Sequence, residues 1–134
     1  MTKRLIIMRG APGSGKSFVA RELAKLYNGV ICSTDDFFTD SNGNYNFDPN
    51  KIVEFHQANQ SKVHNFMDNG APVIIVDNTN ILRSHMNPYE DLAKEHGYAV
   101  EYRHVKCDVE TCIARNTHRV PAEIIRKMVA NFEE

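Results

Sequence analysis

One eight-residue stretch restricts this chain more than any other: "GAPGSGKS", Gly10 to Ser17. It fits the spacing G-x-x-x-x-G-K-[ST], in which glycines let the backbone turn tightly with its N–H groups pointing inward to hold phosphate oxygens. The apolar run Arg4 to Met8 precedes it and predicts a buried strand. Phe18, Val19, Leu23 and Leu26 follow at helical spacing. A strand, a glycine loop and a helix in that order make a phosphate cradle, with the positive end of the helix dipole aimed at the anion. Gly10, Ala11, Pro12, Gly13, Ser14, Gly15, Lys16 and Ser17 are therefore the expected nucleotide-binding residues. Lys16 is placed to reach the terminal phosphates, and the Ser17 hydroxyl to ligate Mg²⁺. A nucleotide with β- and γ-phosphates, and Mg²⁺, are the implied ligands.

The rest of the chain alternates in the same manner. Val30 to Ser33, Val73 to Val76 and Tyr98 to Val105 read as further strands, separated by amphipathic helices at Ile52 to Met67 and from about Ser84 to Glu95. Asn28-Gly29, Asn69-Gly70 and Gly97 close the helices. "DVETCIARN" starts a helix with Asp108 as its N-cap, and Pro121 opens a last one through Phe132. The order β-α-β-α-β-α-β-α-α predicts an α/β fold. In it a small parallel sheet is covered by helices on both faces, a three-layer sandwich with right-handed crossovers. Ligands of such sheets gather at the carboxyl ends of the strands. "GAPGSGKS", "STDD", "DNTN" and "KCD" all fall there.

Those strand ends supply the chemistry. Asp77 ends "VIIVD" and is a candidate for holding the metal with Ser17. Asn78 and Asn80 beside it are candidates for orienting Asp77 or an acceptor. "STDD" puts Asp35 and Asp36 after the second strand, where a carboxylate can accept a hydroxyl proton as the hydroxyl attacks a γ-phosphate. Asp35 capping the next helix is the competing role. "ARNTHRVP" places Arg115 and Arg119 between two helices on a short lid, about residues 115–121, from which arginines can neutralise charge on the transferred group. The competing role for both is that of solvated surface arginines. His118 in the same lid is a further candidate for touching phosphate. Phe37 and Phe38 are read first as core cover, and Tyr45 and Phe47 as base-stacking candidates.

Composition limits the alternatives. A formal charge of −1 over 134 residues exerts no global attraction on nucleic acid, so any polyanion site is local. Three cysteines form no disulfide framework and fit a reducing, cytoplasmic setting. No apolar run approaches the ~20 residues of a membrane span, and one domain, residues 1–134, is expected.

Together "RGAPGSGKS", "STDDFF", "YNFDPN", "VDNTN" and "ARNTHRVP" resemble the polynucleotide 5′-hydroxyl kinases, and especially their animal AAA-type ATP-binding relatives. The likeness covers nearly the whole chain. It implies a P-loop kinase in which Asp35 is the base, Lys16 and Ser17 bind ATP and Mg²⁺, Asp77 organises the metal, and Arg115 is the lid arginine. The implied acceptor is the 5′-hydroxyl end of a nucleic acid. Two positions depart from the pattern. Phe38 stands where the phage enzymes carry an acceptor-binding arginine, and Arg119 where relatives often carry glycine. A small-molecule or nucleotide-sugar kinase remains open, as does a nucleotide-binding or nucleic-acid-binding module without turnover.

Overall fold

The computed structural model describes residues 2–134. Two strands form its centre, β1 (Arg4–Arg9) and β3 (Val73–Asp77), and both are apolar without alternation because both of their faces are covered. Leu5, Ile6, Ile7 and Met8 of β1 and Ile74, Ile75 and Val76 of β3 have no exposed surface. With β2 (Val30–Cys32) and β4 (Ala99–His104) they form a four-stranded sheet of order β2-β3-β1-β4, parallel throughout. The register pairs Arg4 with Val73 and Met8 with Asp77 across the central ladder.

Helices cover both faces, as the alternation predicts. On one side α1 (Lys16–Tyr27) sets Ala20 and Leu23 against Ile6, Met8 and Ile75. On the other, α2 (Ile52–Asp68) and α3 (Asn87–His96) set Val63, Met67, Tyr89 and Ala93 against Leu5, Ile7, Ile74 and Val76. Burying each such Val, Leu, Ile or Met side chain contributes about 1.5–3 kcal/mol. A third cluster, Ala11, Cys112 and Ile125, seats α4 (Val109–Arg115) and α5 (Ala122–Ala130) over the glycine loop. β4 lies at the sheet edge and carries Glu101 and Arg103, charges that discourage edge-to-edge pairing.

The caps follow the sequence. Asn28 adopts a left-handed φ of 54° to end α1, and Gly97 does so at 73° to end α3. Asp108 accepts a hydrogen bond from the Thr111 backbone N–H at 3.1 Å, as expected of the N-cap of α4. Several boundaries differ from expectation. β2 stops at Cys32, and a 3₁₀ turn, Thr34–Phe38, follows Ser33. The helix expected from Ser84 begins at Asn87, after a separate 3₁₀ turn, Arg83–His85. Pro88 is the reason: its missing N–H and its ring forbid a helical bond to the carbonyl of Ser84, so the helix can only start with Pro88 in its first turn. The last helix ends at Ala130 rather than Phe132.

Candidate active site

The glycine loop is built for close approach. Gly10, Gly13 and Gly15 all have positive φ, of 157°, 83° and 96°. Around Gly13 there is no room for a side chain: an added Cβ would lie 2.0 Å from the backbone oxygen of Cys112, so α4 sits directly on the loop. The helix that follows is left open. Gly15 at its N-cap offers no side-chain oxygen, and its first turn carries no acidic residue. The amide groups at the start of a twelve-residue helix thus have no capping side chain or first-turn carboxylate competing for them, as suits an anion site.

Lys16 and Ser17, expected to serve the phosphates and the metal, converge on Asp77. The Ser17 hydroxyl donates to Asp77 Oδ2 at 2.8 Å, and Lys16 Nζ stands 3.7 Å from Oδ1. The register of β1 against β3 sets this meeting, because Asp77 pairs with Met8, two residues before the loop begins. Lys16 and Asp77 are only 9% and 6% exposed, yet Asp77 Oδ1 has no hydrogen-bond partner, and neither has the buried hydroxyl of Ser14. Buried polar atoms without partners are uncommon. Asp77 Oδ1 lies beside Lys16, and the Ser17 hydroxyl with the Asp77 carboxylate is an oxygen donor set that suits Mg²⁺.

Asn78 and Asn80 do not orient Asp77. Asn78 Oδ1 accepts from the Thr34 backbone N–H at 2.9 Å, tying the end of β3 to the turn that bears Asp35 and Asp36. Asn80, in a left-handed conformation, donates to the Met8 carbonyl at 2.8 Å. Beneath Thr34 lies a buried polar set that sequence reasoning did not collect. Thr34 Oγ1 and His56 Nδ1 hydrogen-bond at 3.0 Å, and Asn59 Nδ2 donates to the Tyr89 hydroxyl at 2.9 Å, with Asn78 Nδ2 at 3.4 Å from the same oxygen. Burial, aided by the neighbouring His85, holds His56 below the usual imidazole value, and burial pushes the Tyr89 phenol up. One signal was available: Asn59 interrupts the apolar face of α2, and a polar side chain in that place needs a partner.

Asp35 is half-exposed and faces the lid. Tyr45 donates its hydroxyl to Asp35 Oδ1 at 3.3 Å, and His118 Nδ1 stands 3.4 Å from Oδ2. The Tyr45 and His118 rings stack, 4.0 Å between centroids and 9° from parallel. Burial, and then the Asp35 charge, push the Tyr45 phenol well above its ordinary value. Both Tyr45, read as a base-stacking candidate, and His118, read as a phosphate contact, are engaged with Asp35 instead. Phe47 remains 55% exposed, whereas Phe38 is buried against Phe55, Phe47 and Tyr45 and serves the core. Asp35 does not cap a helix; Ser33 is the residue before the 3₁₀ turn.

Arg115 ends α4 and Arg119 lies in the lid, both exposed and, among the described residues, without an ion pair. Arg119 has φ of 56°, a left-handed conformation that glycine adopts without strain.

On the far side of the glycine loop, Arg9 is buried and fixes the chain end. Its guanidinium donates to the carbonyls of Asn80 at 2.9 Å and Ile81 at 3.2 Å, and lies over the Phe132 ring at 4.3 Å. His104 stacks on the same ring, with 3.9 Å between centroids. A cleft of about 300 Å³ beside the loop is lined by Ser14, His104, Cys107, Cys112 and Phe132 among others.

A parallel sheet with a glycine cradle, an open helix start and an acidic residue ending the neighbouring strand define a P-loop kinase fold. The chain belongs to the AAA domain family, whose model matches residues 5–134. It is 39% identical to human NEDD4-binding protein 2 over 134 residues, covering 96% of this chain and 8% of that protein. A chain in the structure of the Pnkp1/Rnl/Hen1 RNA repair complex superposes with a TM-score of 0.79 at 26% identity, over 98% of this chain and 44% of that one. The Mycobacterium tuberculosis APS kinase CysC, solved with AMPPNP and APS, shares the fold with a TM-score of 0.66 at 16% identity, over 99% of this chain and 80% of that one. The chain thus spans less than a tenth of the length of the human relative and under half of the RNA-repair chain. No helix among the described residues is long and apolar enough to cross a membrane.

Proposed function

We propose that this chain transfers the γ-phosphate of ATP to a hydroxyl acceptor, and that the acceptor is the 5′-hydroxyl end of a polynucleotide. The kinase-type fold supports phosphotransfer, and the likeness to the RNA-repair chain supports a nucleic acid. The observation that carries the reading is the lid: α4 packs on Gly13 while His118, just beyond it, reaches Asp35. One short segment therefore joins the phosphate cradle to the carboxylate expected to act as base.

In this reading ATP would supply the phosphoryl group, and Mg²⁺ would neutralise charge on its phosphates. The loop amides from Gly10 to Ser17 and the start of α1 hold the phosphates. Lys16 would contact them, and Ser17 and Asp77 would hold the metal. Asp35 accepts the acceptor's hydroxyl proton once the acceptor displaces Tyr45 and His118 from its carboxylate. Arg115 and Arg119, exposed and unpaired, supply cations as the lid closes.

Buried Phe38 favours a second reading, a small-molecule kinase, because no cation stands there to meet an acceptor phosphate. Labelled ATP offered with 5′-hydroxyl oligonucleotides, nucleosides and sugars separates the two. The expected result is transfer to the oligonucleotide that weakens as salt rises, since phosphate contacts release counterions. Asp35→Asn should lower transfer about 10²–10⁴-fold while leaving affinity for an ATP analogue unchanged. Undiminished transfer by this variant refutes the base assignment, and transfer to sugars alone refutes the polynucleotide.

A further inference from the structure

Three metal-ligating side chains meet at the end of the sheet away from the cradle. α2 carries His64 and Asp68 four residues apart, hence on one face, and α3 ends on His96. His64 Nε2 lies 3.5 Å from Asp68 Oδ2, and His96 Nε2 lies 2.9 Å from Asp68 Oδ1. One ligand atom from each residue falls within 4.8 Å of the others. An ion bonded to imidazole nitrogen and carboxylate oxygen at about 2.0–2.2 Å brings its ligands to about 3–3.5 Å from one another. A small closing movement of the exposed His64 and Asp68 side chains reaches that arrangement.

The His96 ring is already oriented as a ligand. Its Nδ1–H donates to the Leu92 carbonyl at 2.9 Å, the outer hydrogen bond that fixes the tautomer of metal-bound histidines. In the neutral ring Nε2 then carries a lone pair, and it faces an acceptor oxygen at 2.9 Å. Two acceptors at that distance require a cation between them or a second proton on the ring. A groove of about 330 Å³ between α2 and α3, lined by His64, Asp91 and Glu95 among others, adds negative charge at the approach.

We propose that His64, Asp68 and His96 form a Zn²⁺ site that ties α2 to α3, with water completing the coordination. Two imidazoles and a carboxylate suit zinc, and they are a poor set for the Mg²⁺ of the cradle, which takes oxygen ligands. The same two helices carry His56, Asn59 and Tyr89 beneath the turn that bears Asp35. The ion would pin them at their other end. The site is independent of the reading of the cradle, and its test needs no turnover.

The metal-stripped chain, titrated with ZnCl2 by calorimetry, should bind one equivalent and melt at a higher temperature with zinc than with EDTA. His64→Ala and His96→Ala should each weaken binding at least ~10-fold. Cys107→Ser should leave it unchanged, and Co²⁺ in place of Zn²⁺ should show no thiolate charge-transfer absorption. In the unaltered chain, zinc should shift the nitrogen resonances of His64 and His96. Absence of saturable binding, retention of binding in both histidine variants, loss of binding in Cys107→Ser, or unmoved histidine resonances would each overturn the site.

Discussion

Replacing Gly13 with alanine should separate two costs that usually arrive together. Gly13 and Gly15 both hold left-handed backbone, φ 83° and 96°. A Cβ at Gly15 meets nothing within 4 Å, whereas one at Gly13 lies 2.0 Å from the Cys112 backbone oxygen. Gly15→Ala therefore costs only backbone strain, about 1–2 kcal/mol. Gly13→Ala adds an overlap with main chain that no rotamer relieves, about 1–3 kcal/mol more. At about 2 cal/mol/K of unfolding entropy per residue, 134 residues lose about 3–4 °C of melting temperature per kcal/mol. Without nucleotide, Gly15→Ala should melt about 5 °C below the parent protein and Gly13→Ala about 10 °C or more below it. Because the relief available to Gly13→Ala is to lift α4, trypsin should also cut sooner at Arg115 and Arg119 in that variant. Equal melting temperatures and equal cleavage would refute the seating of α4 on the loop.

Two further outcomes test the interior. Tyr89→Phe removes the oxygen that accepts from Asn59, whose own Oδ1 is already buried without a partner. It should lower stability by about 1–3 kcal/mol, read as a lower urea midpoint with an unchanged slope, and an unchanged midpoint would show the network to be idle. Cys32 and Cys112 are buried, and burial pushes both thiols up to about 11, so at pH 8 only about one in a thousand is thiolate. Native alkylation followed by mass spectrometry should mark Cys107 first and reach Cys32 and Cys112 only after urea; rapid native labelling of Cys112 would contradict its burial.

Local patterns carried most of the fold into the sequence. Apolar runs without alternation announced strands covered on both faces, and glycine and asparagine marked the helix ends where left-handed backbone is needed. Pro88 explains the late start of α3, and its bearing could have been read: a proline there excludes a helix reaching back to Ser84. The glycine loop and Asp77 were legible because spacing and strand ends place them. The engagement of Asp35 with Tyr45 and His118 was not, since it joins three loops whose mutual approach depends on the packing of α4. The zinc-type cluster lay half in view: His64 and Asp68 share a helical face, but His96 joins them only through the packing of α2 on α3.

The pairing of Met8 with Asp77 across β1 and β3 has a consequence for how such a protein can vary. The distance from the glycine loop to its acidic partner is set by hydrogen-bond phase within the sheet's middle, and loop length has no part in it. Insertions between elements can then remodel what is bound without disturbing that spacing. A slip of a single residue in either central strand would turn Asp77 to the opposite face and leave Ser17 facing hydrocarbon.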